Sequence, residues 1–155
     1  MAQTGGSRES PASGDDGWTR ARRHGTILSR RLALFEVTYE TTFCATHVLH
    51  EGGRPVEPQH GHDWRVEVVA AGESLDRLGV VVDFEHLKEA VHEICRRFHY
   101  ADITSHPHFA GQSPSAEAVA RYFFQEVRKA MGEEGELLVR VRVWEAPGCS
   151  ASYSA

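Results

Sequence analysis

Residues 32–47, Leu-Ala-Leu-Phe-Glu-Val-Thr-Tyr-Glu-Thr-Thr-Phe-Cys-Ala-Thr-His, decide the fold class. Leu32, Leu34, Glu36, Thr38 and Glu40 interleave with Ala33, Phe35, Val37 and Tyr39, the period of two that marks a half-buried strand. Phe43-Cys44-Ala45-Thr46-His47 carries the strand further, with room for a bulge on the way. Residues 51–59 hold two Gly and two Pro and read as a loop. Trp64, Val66, Val68 and Ala70 then alternate with Arg65, Glu67 and Val69 as a second strand, closed by the turn Ala71-Gly72-Glu73-Ser74. The period changes after that. Phe84, Leu87, Val91, Ile94 and Phe98 recur at steps of three and four, which predicts a helix over Phe84–Phe98 with Asp83 as its N-cap. Residues 101–113 read as a loop. Ser115-Ala116-Glu117 opens a second helix behind Pro114, with Val119, Tyr122, Phe123, Val127 and Met131 on its apolar side and residues 132–135 ending it. Leu138, Arg140 and Arg142 alternate with Val139, Val141 and Val143 as a third strand, and Tyr153 falls in a short C-terminal extension. The order strand, strand, helix, helix, strand predicts an α+β layer: an antiparallel sheet with two helices packed on one face. Such a sheet leaves edges and a second face to be managed, and oligomerisation is one remedy.

Composition bounds the function. Apolar residues at 41% and charged residues at 25% are ordinary for a globular domain. A formal net charge of −5 argues against a general nucleic-acid role, which needs a basic face. The longest apolar runs, such as Gly79-Val80-Val81-Val82, are too short to span a bilayer. The N-terminus carries no apolar signal-peptide core, so a cytoplasmic location is expected. Cys44, Cys95 and Cys149 are odd in number and widely spaced, which suits a reduced compartment and predicts small buried hydrophobes rather than nucleophiles. Residues 1–30 form a separate tail, rich in Gly, Ser and Asp and then in Arg (Arg20, Arg22, Arg23, Arg30), expected to be disordered and solvated. Residues 31–155 are the folded domain.

Within that domain His47, His60 and His62 stand out. His60 and His62 are two apart, so on an extended strand both rings project from one face. His47 lies thirteen residues upstream, the distance a hairpin needs to bring a second strand alongside. Three imidazoles leave a fourth metal position open, as a catalytic zinc site requires. Ten histidines in one chain could also produce this spacing by chance or as surface imidazoles.

Phe43-x-Ala45-x-His47, His60-Gly61-His62, Val81-Val82-Asp83-Phe84-x-x-Leu87-Lys88, Ser113-Pro114-Ser115-Ala116-Glu117 and Val143-Trp144-Glu145 follow one another in an order that resembles the 6-pyruvoyltetrahydropterin synthase / 6-carboxytetrahydropterin synthase family. The resemblance covers residues 34–153. It implies the tunnelling fold, in which subunits close their sheets into a barrel, commonly a homohexamer of two trimers with active sites at subunit interfaces. It further implies Zn2+ on His47, His60 and His62, polarising the side-chain oxygens of a reduced pterin. Glu145 would anchor the pterin through paired hydrogen bonds, with Glu117 and Ser115 in the pterin-contacting turn; helix capping alone would equally account for Ser115.

The departures bear on the chemistry. Family members carry a catalytic cysteine four residues before the His-Gly-His motif; here that position is Val56, followed by Glu57. This resembles the subgroup in which a glutamate replaces the cysteine and 7,8-dihydroneopterin triphosphate is cleaved to 6-hydroxymethyl-7,8-dihydropterin for folate synthesis. The other expected product is 6-carboxy-5,6,7,8-tetrahydropterin, on the way to queuosine. The family's Asp-His pair aligns with His99 and Tyr100, with Asp102 nearby, so the proton relay is altered or displaced. His106 and His108 in the loop that follows read as ordinary loop residues. The expectation is a lyase carrying Glu57, His99 and Tyr100 as catalytic groups. The alternative is a non-catalytic zinc- and pterin-binding homologue that has lost the relay.

Overall fold

The structure, a computed structural model, describes residues 34–155; the tail expected over residues 1–30 lies outside the described residues. The first strand, β1 (Phe35–His47), runs without a break and pairs antiparallel with β4 (His60–Gly72) in continuous register from Phe35↔Gly72 to His47↔His60. No bulge interrupts β1 against this partner. The connecting residues are more ordered than a plain loop: His50–Glu51 (β2) and Arg54–Pro55 (β3) form a small hairpin around Gly52 and Gly53. Both glycines sit at positive φ, +58° and +78°, which a Gly-Gly turn supplies without Cβ strain.

The helix expected over Phe84–Phe98 forms over those residues (α1), and Asp83 caps it by accepting from the Glu85 amide at 2.8 Å. Phe84 does not share the buried stripe; in the first turn it stays about half exposed, while Leu87, Val91, Ile94 and Phe98 are buried. The next loop contains the two-residue strand β5 (Ala101–Asp102) and two short 3-10 turns. Ser115 then caps α2 (Ala116–Ala130), which hands over through a 3-10 segment to β6 (Leu138–Ala146). The C-terminal extension is itself a strand, β7 (Cys149–Ser154), paired antiparallel with β6 across the Pro147-Gly148 turn.

The sheet order is β5-β1-β4-β6-β7; all neighbours are antiparallel except β5, which lies parallel to β1. Alternation sends Phe43, Ala45, Trp64, Val66, Val68, Val141 and Val143 to the face that packs against both helices. Phe43 is the keystone: its ring lies 6.1 Å from Trp64, 6.0 Å from Phe98 of α1 and 5.5 Å from Phe123 of α2. The helix-free face is polar. Arg65 lies over the Trp144 ring at 3.6 Å and reaches Glu40 at 3.7 Å, and Arg140 reaches Glu67 at 3.7 Å. The expected α+β layer with helices on one face is therefore what forms.

The cysteines are all free, but only Cys95 is the buried hydrophobe expected of each. Burial pushes its thiol up to about 12. Cys149 is exposed, and Cys44 is half-buried on the helix-free side of β1, its Sγ donating to Asp63 Oδ1 at 2.6 Å. No helix among the described residues is long and apolar enough to cross a membrane.

Candidate metal centre

The β1–β4 register puts His47 directly opposite His60 and Ala45 opposite His62. Because alternation is shared across the pair, all three rings emerge on the helix side at one end of the ladder. The small Ala45 opposite His62 leaves room for the rings to converge. Their centroids lie 4.7 Å apart for His47 and His60, 4.8 Å for His60 and His62, and 5.3 Å for His47 and His62. Trp64 forms the floor, edge-on to His47 at 4.9 Å and to His62 at 5.8 Å.

Backbone carbonyls fix which nitrogen each ring turns inward. His47 Nδ1 donates to the Pro114 carbonyl at 3.0 Å, and His60 Nδ1 donates to the Pro58 carbonyl at 2.9 Å. A proton on Nδ1 leaves the Nε2 lone pair as the available ligand, which is how metal-binding histidines are commonly oriented. His47 is 0% exposed, and the Nε2 atoms of His47 and His62 are buried without a hydrogen-bond partner. Burial lowers the His62 pKa, against an opposing pull from Glu145. Buried, deprotonated nitrogens with no hydrogen-bond partner are costly unless something else engages them, and a bound cation does so. The donor set fits zinc: imidazole nitrogens with a carboxylate close by.

That carboxylate is Glu145. It follows Val141 and Val143 on the helix side of β6, and the ladder to β7 shifts register beside it, between Trp144 and Ala146. Glu145 Oε1 lies 3.3 Å from His62 Nε2 and 3.5 Å from His47 Nε2. One ligand atom from each of His47, His60, His62 and Glu145 falls within a 4.8 Å cluster.

The remaining expected site residues are distributed around this centre. Glu57 is at its rim, behind His60: Oε1 accepts from the Leu49 amide at 3.1 Å and lies 3.9 Å from His60 Nδ1, the nitrogen turned away from the cluster. Val56 beside it is exposed. Ser115 is one residue beyond the Pro114 carbonyl that holds His47, and its hydroxyl accepts from the Ala118 amide at 3.4 Å. Glu117 is exposed in the first turn of α2. His99 and Tyr100 are not part of the cluster. His99 Nδ1 accepts from the Cys44 amide at 3.2 Å, and the Tyr100 amide donates to the Cys44 carbonyl at 2.7 Å. Tyr100 is 83% exposed, with φ at +57°, an uncommon conformation for a bulky residue. It shares a cavity of about 430 Å3 with Cys44, Thr46, Asp63 and Asp102. Both Asp102 oxygens are occupied, accepting from the Thr104 amide and the Ser105 hydroxyl. His106 and His108 pack around Tyr122, away from the cluster.

Sequence reasoning missed the residues that hold the loops around the histidines. Ser113 clasps the His50 backbone, its Oγ accepting from the amide at 2.7 Å and donating to the carbonyl at 2.8 Å. Thr104 Oγ1 accepts from the Val48 amide at 2.9 Å. Polar loop residues carry no periodic signal that would have revealed either.

The family profile described as 6-pyruvoyl tetrahydropterin synthase matches residues 36–155. The chain is 30% identical over 96 residues to the 6-pyruvoyl tetrahydrobiopterin synthase of Drosophila melanogaster, an alignment covering 61% of this chain and 56% of that protein. It is 28% identical over 126 residues to the 6-carboxy-5,6,7,8-tetrahydropterin synthase of Bacillus subtilis, covering 77% and 84%. It is 27% identical over 109 residues to the dihydroneopterin monophosphate aldolase of Pyrococcus furiosus, covering 70% and 88%. Among solved structures, the Caenorhabditis elegans 6-pyruvoyl tetrahydropterin synthase superposes with a TM-score of 0.71 at 21% identity, over 81% of this chain and 98% of that one. The chain belongs to the 6-pyruvoyl tetrahydropterin synthase family.

Proposed function

We propose that this chain is a zinc-dependent lyase acting on the side chain of a reduced pterin, 7,8-dihydroneopterin triphosphate or a close relative. The product is 6-hydroxymethyl-7,8-dihydropterin or 6-carboxy-5,6,7,8-tetrahydropterin. The observation that carries this reading is the convergence of His47, His60 and His62, in which the Nε2 atoms of His47 and His62 are buried and unpartnered by hydrogen bonds. Relatives named for pterin side-chain chemistry support the substrate class.

Zinc held there supplies a Lewis acid for the hydroxyl and carbonyl oxygens of the pterin side chain. His47 and His60, fixed through their Nδ1 atoms, hold that charge in one place, and Trp64 keeps water from the floor. Glu57, at the rim in place of the usual cysteine, takes the proton from the substrate side chain. Glu145 accepts the paired N–H groups of the pterin ring, and Glu117, exposed beside the Ser115 turn, supplies a further acceptor to it. His99 and Tyr100 act on the site of a neighbouring subunit, since they stand apart from the cluster in their own chain. That arrangement needs the homohexamer, a dimer of trimers closed into a barrel. The polar helix-free face, the outer edge of β7 and the part of β1 before its short pairing with β5 support such an assembly. A cytoplasmic location completes the proposal.

The placement of His99 and Tyr100 also favours a second reading, a zinc- and pterin-binding homologue without turnover. Product analysis with dihydroneopterin triphosphate, for the parent and for Glu57→Ala, decides between them. The lyase reading expects turnover by the parent and loss of two or more orders of magnitude in Glu57→Ala, within the ~10²–10⁴-fold range of general bases. Tight pterin binding with no turnover by the parent would establish the binding protein instead. Equal turnover by both proteins would remove Glu57 as the base.

A further inference from the structure

Three consecutive amides in the strap that follows His47 each donate to a side-chain oxygen. The Val48 amide reaches Thr104 Oγ1 at 2.9 Å, the Leu49 amide reaches Glu57 Oε1 at 3.1 Å, and the His50 amide reaches Ser113 Oγ at 2.7 Å. The outer two acceptors come from the segment between α1 and α2, and the middle one is the proposed base. The Leu49 carbonyl also accepts from the Val56 amide at 3.0 Å, one residue before Glu57. Leu49 therefore closes the neck of the β2–β3 hairpin through both its backbone groups, and the position of Glu57 follows the position of Leu49.

The neighbours of Leu49 are held by hydroxyls that are fully used in doing so. Ser113 Oγ accepts from the His50 amide and donates its one proton to the His50 carbonyl at 2.8 Å, which leaves none for a substrate. Thr104 is fixed in turn, its amide donating to Asp102 Oδ1 at 2.9 Å. The residue after Ser113 is Pro114, whose carbonyl accepts from His47 Nδ1 at 3.0 Å. Ser113 and Pro114 thus hold a candidate metal ligand directly and the proposed base through Leu49. One dipeptide is the common reference for both. A base and a metal that act on one substrate side chain need such a frame, since a misplacement of about 1 Å can cost on the order of 10²-fold in rate.

We infer that Ser113 and Thr104 are positioning residues for Glu57. They lock residues 48–50 so that the Leu49 amide presents the carboxylate at a set distance from the histidine cluster. Glu57 Oε1 stays on that amide, and Oε2 is left to receive the proton. The inference rests on the reading of Glu57 as the base.

The test is a double-mutant cycle on the zinc-loaded full chain with dihydroneopterin triphosphate, joined to hydrogen exchange of the Leu49 amide. Ser113→Ala and Thr104→Val are each made alone and together with Glu57→Ala. Ser113→Ala lowers kcat on the order of tenfold, with KM and zinc content unchanged, as loss of one well-placed hydrogen-bonding group does. In the Glu57→Ala background the same change has no further effect on the residual rate. Thr104→Val, which keeps the shape, behaves alike and covers a Ser113→Ala protein that fails to fold; Thr104→Ser, which keeps the hydroxyl, restores kcat. In metal-free protein the Leu49 amide exchanges faster in both hydroxyl-deleted variants than in the parent. An equal fractional loss of kcat in both backgrounds, or a loss of zinc that matches the loss of kcat, would show a general structural role. Either result overturns the inference and spares the base. Parent-like kcat and Leu49 exchange in both variants would also overturn it. Undiminished turnover by Glu57→Ala, or none by the parent, would remove the base and the inference together.

Discussion

His47 Nδ1 donates to the Pro114 carbonyl across 3.0 Å, so the end of β1 and the turn ahead of α2 are held together by one imidazole. The same bond sets the ring's tautomer, which makes a single side chain both a fold contact and a ligand. The two roles separate when His47 is compared with His60, whose side chain is 36% exposed. His47→Ala removes a buried ring and strands the Pro114 carbonyl, costing on the order of 2 kcal/mol or more in metal-free protein. His60→Ala costs less than about 1 kcal/mol, as surface changes do. Both variants lose the metal. Urea unfolding in the presence of a chelator, with metal analysis of the purified proteins, checks the pair.

Ser115 offers a comparable separation. Its hydroxyl caps α2, and replacing such a cap by alanine costs about 1 kcal/mol. Ser115→Asp, which preserves a capping oxygen, restores the stability of Ser115→Ala. If capping is its whole role, Ser115→Asp leaves KM for dihydroneopterin triphosphate unchanged. Glu117→Gln, which removes the charged acceptor proposed for the pterin, raises KM by roughly tenfold or more. A rise in Ser115→Asp equal to that in Glu117→Gln would assign Ser115 to the substrate.

Much of this was legible in the residues. The Phe84–Phe98 helix has an apolar stripe from Leu87 to Phe98 and an Asp cap, so period and punctuation agree on its limits. The strand β7 was not legible because Cys149-Ser150-Ala151-Ser152-Tyr153-Ser154 offers only small and polar residues around Ala151 and Tyr153. The Pro147-Gly148 pair ahead of it was the available hairpin signal, with Gly148 at φ +81°. His60 and His62 could be placed on one face from spacing, but their meeting with His47 depends on the β1–β4 register, which periodicity alone does not fix. Glu145 arrives from a third strand. Its phase was visible, since Val141, Val143 and Glu145 alternate together, but not the identity of the neighbouring strand.

Gly135 predicts a purely structural effect. A Cβ built there would fall 2.1 Å from the Arg128 carbonyl oxygen, a backbone atom that cannot rotate away. Gly135→Ala must therefore move the 3-10 segment off the end of α2. Overpacking of this kind costs about 1–3 kcal/mol. The variant should unfold at a lower temperature than the parent while retaining its metal content, because the segment joins the sheet at Leu138, opposite Ala70 and at the other end of β4 from His60 and His62. An unchanged Tm would mean that the segment shifts freely.

The cluster around His106 predicts a pH dependence unrelated to the metal ligands. His106 faces Phe98 and Tyr122, accepts from the His108 amide at 3.2 Å, and lies near Arg97, which is paired with Glu126 at 2.8 Å. Burial is the main cause that lowers its pKa below the ordinary 6.5, joined by His108 and Arg97 and opposed by Glu126. The fold thus favours neutral His106 while the unfolded chain protonates at the ordinary value. Its contribution to stability is complete above 6.5 and is lost as pH falls from there through the lower folded value. His106→Asn removes the titration and keeps an acceptor for the His108 amide. Between about pH 7.5 and about pH 5.5, spanning the ordinary histidine range, the metal-free parent should lose more stability than metal-free His106→Asn. Urea midpoints for both proteins at each pH supply the measurement, and the histidines common to both cancel in the difference. Superimposable profiles would show that His106 titrates alike in the folded and unfolded chains.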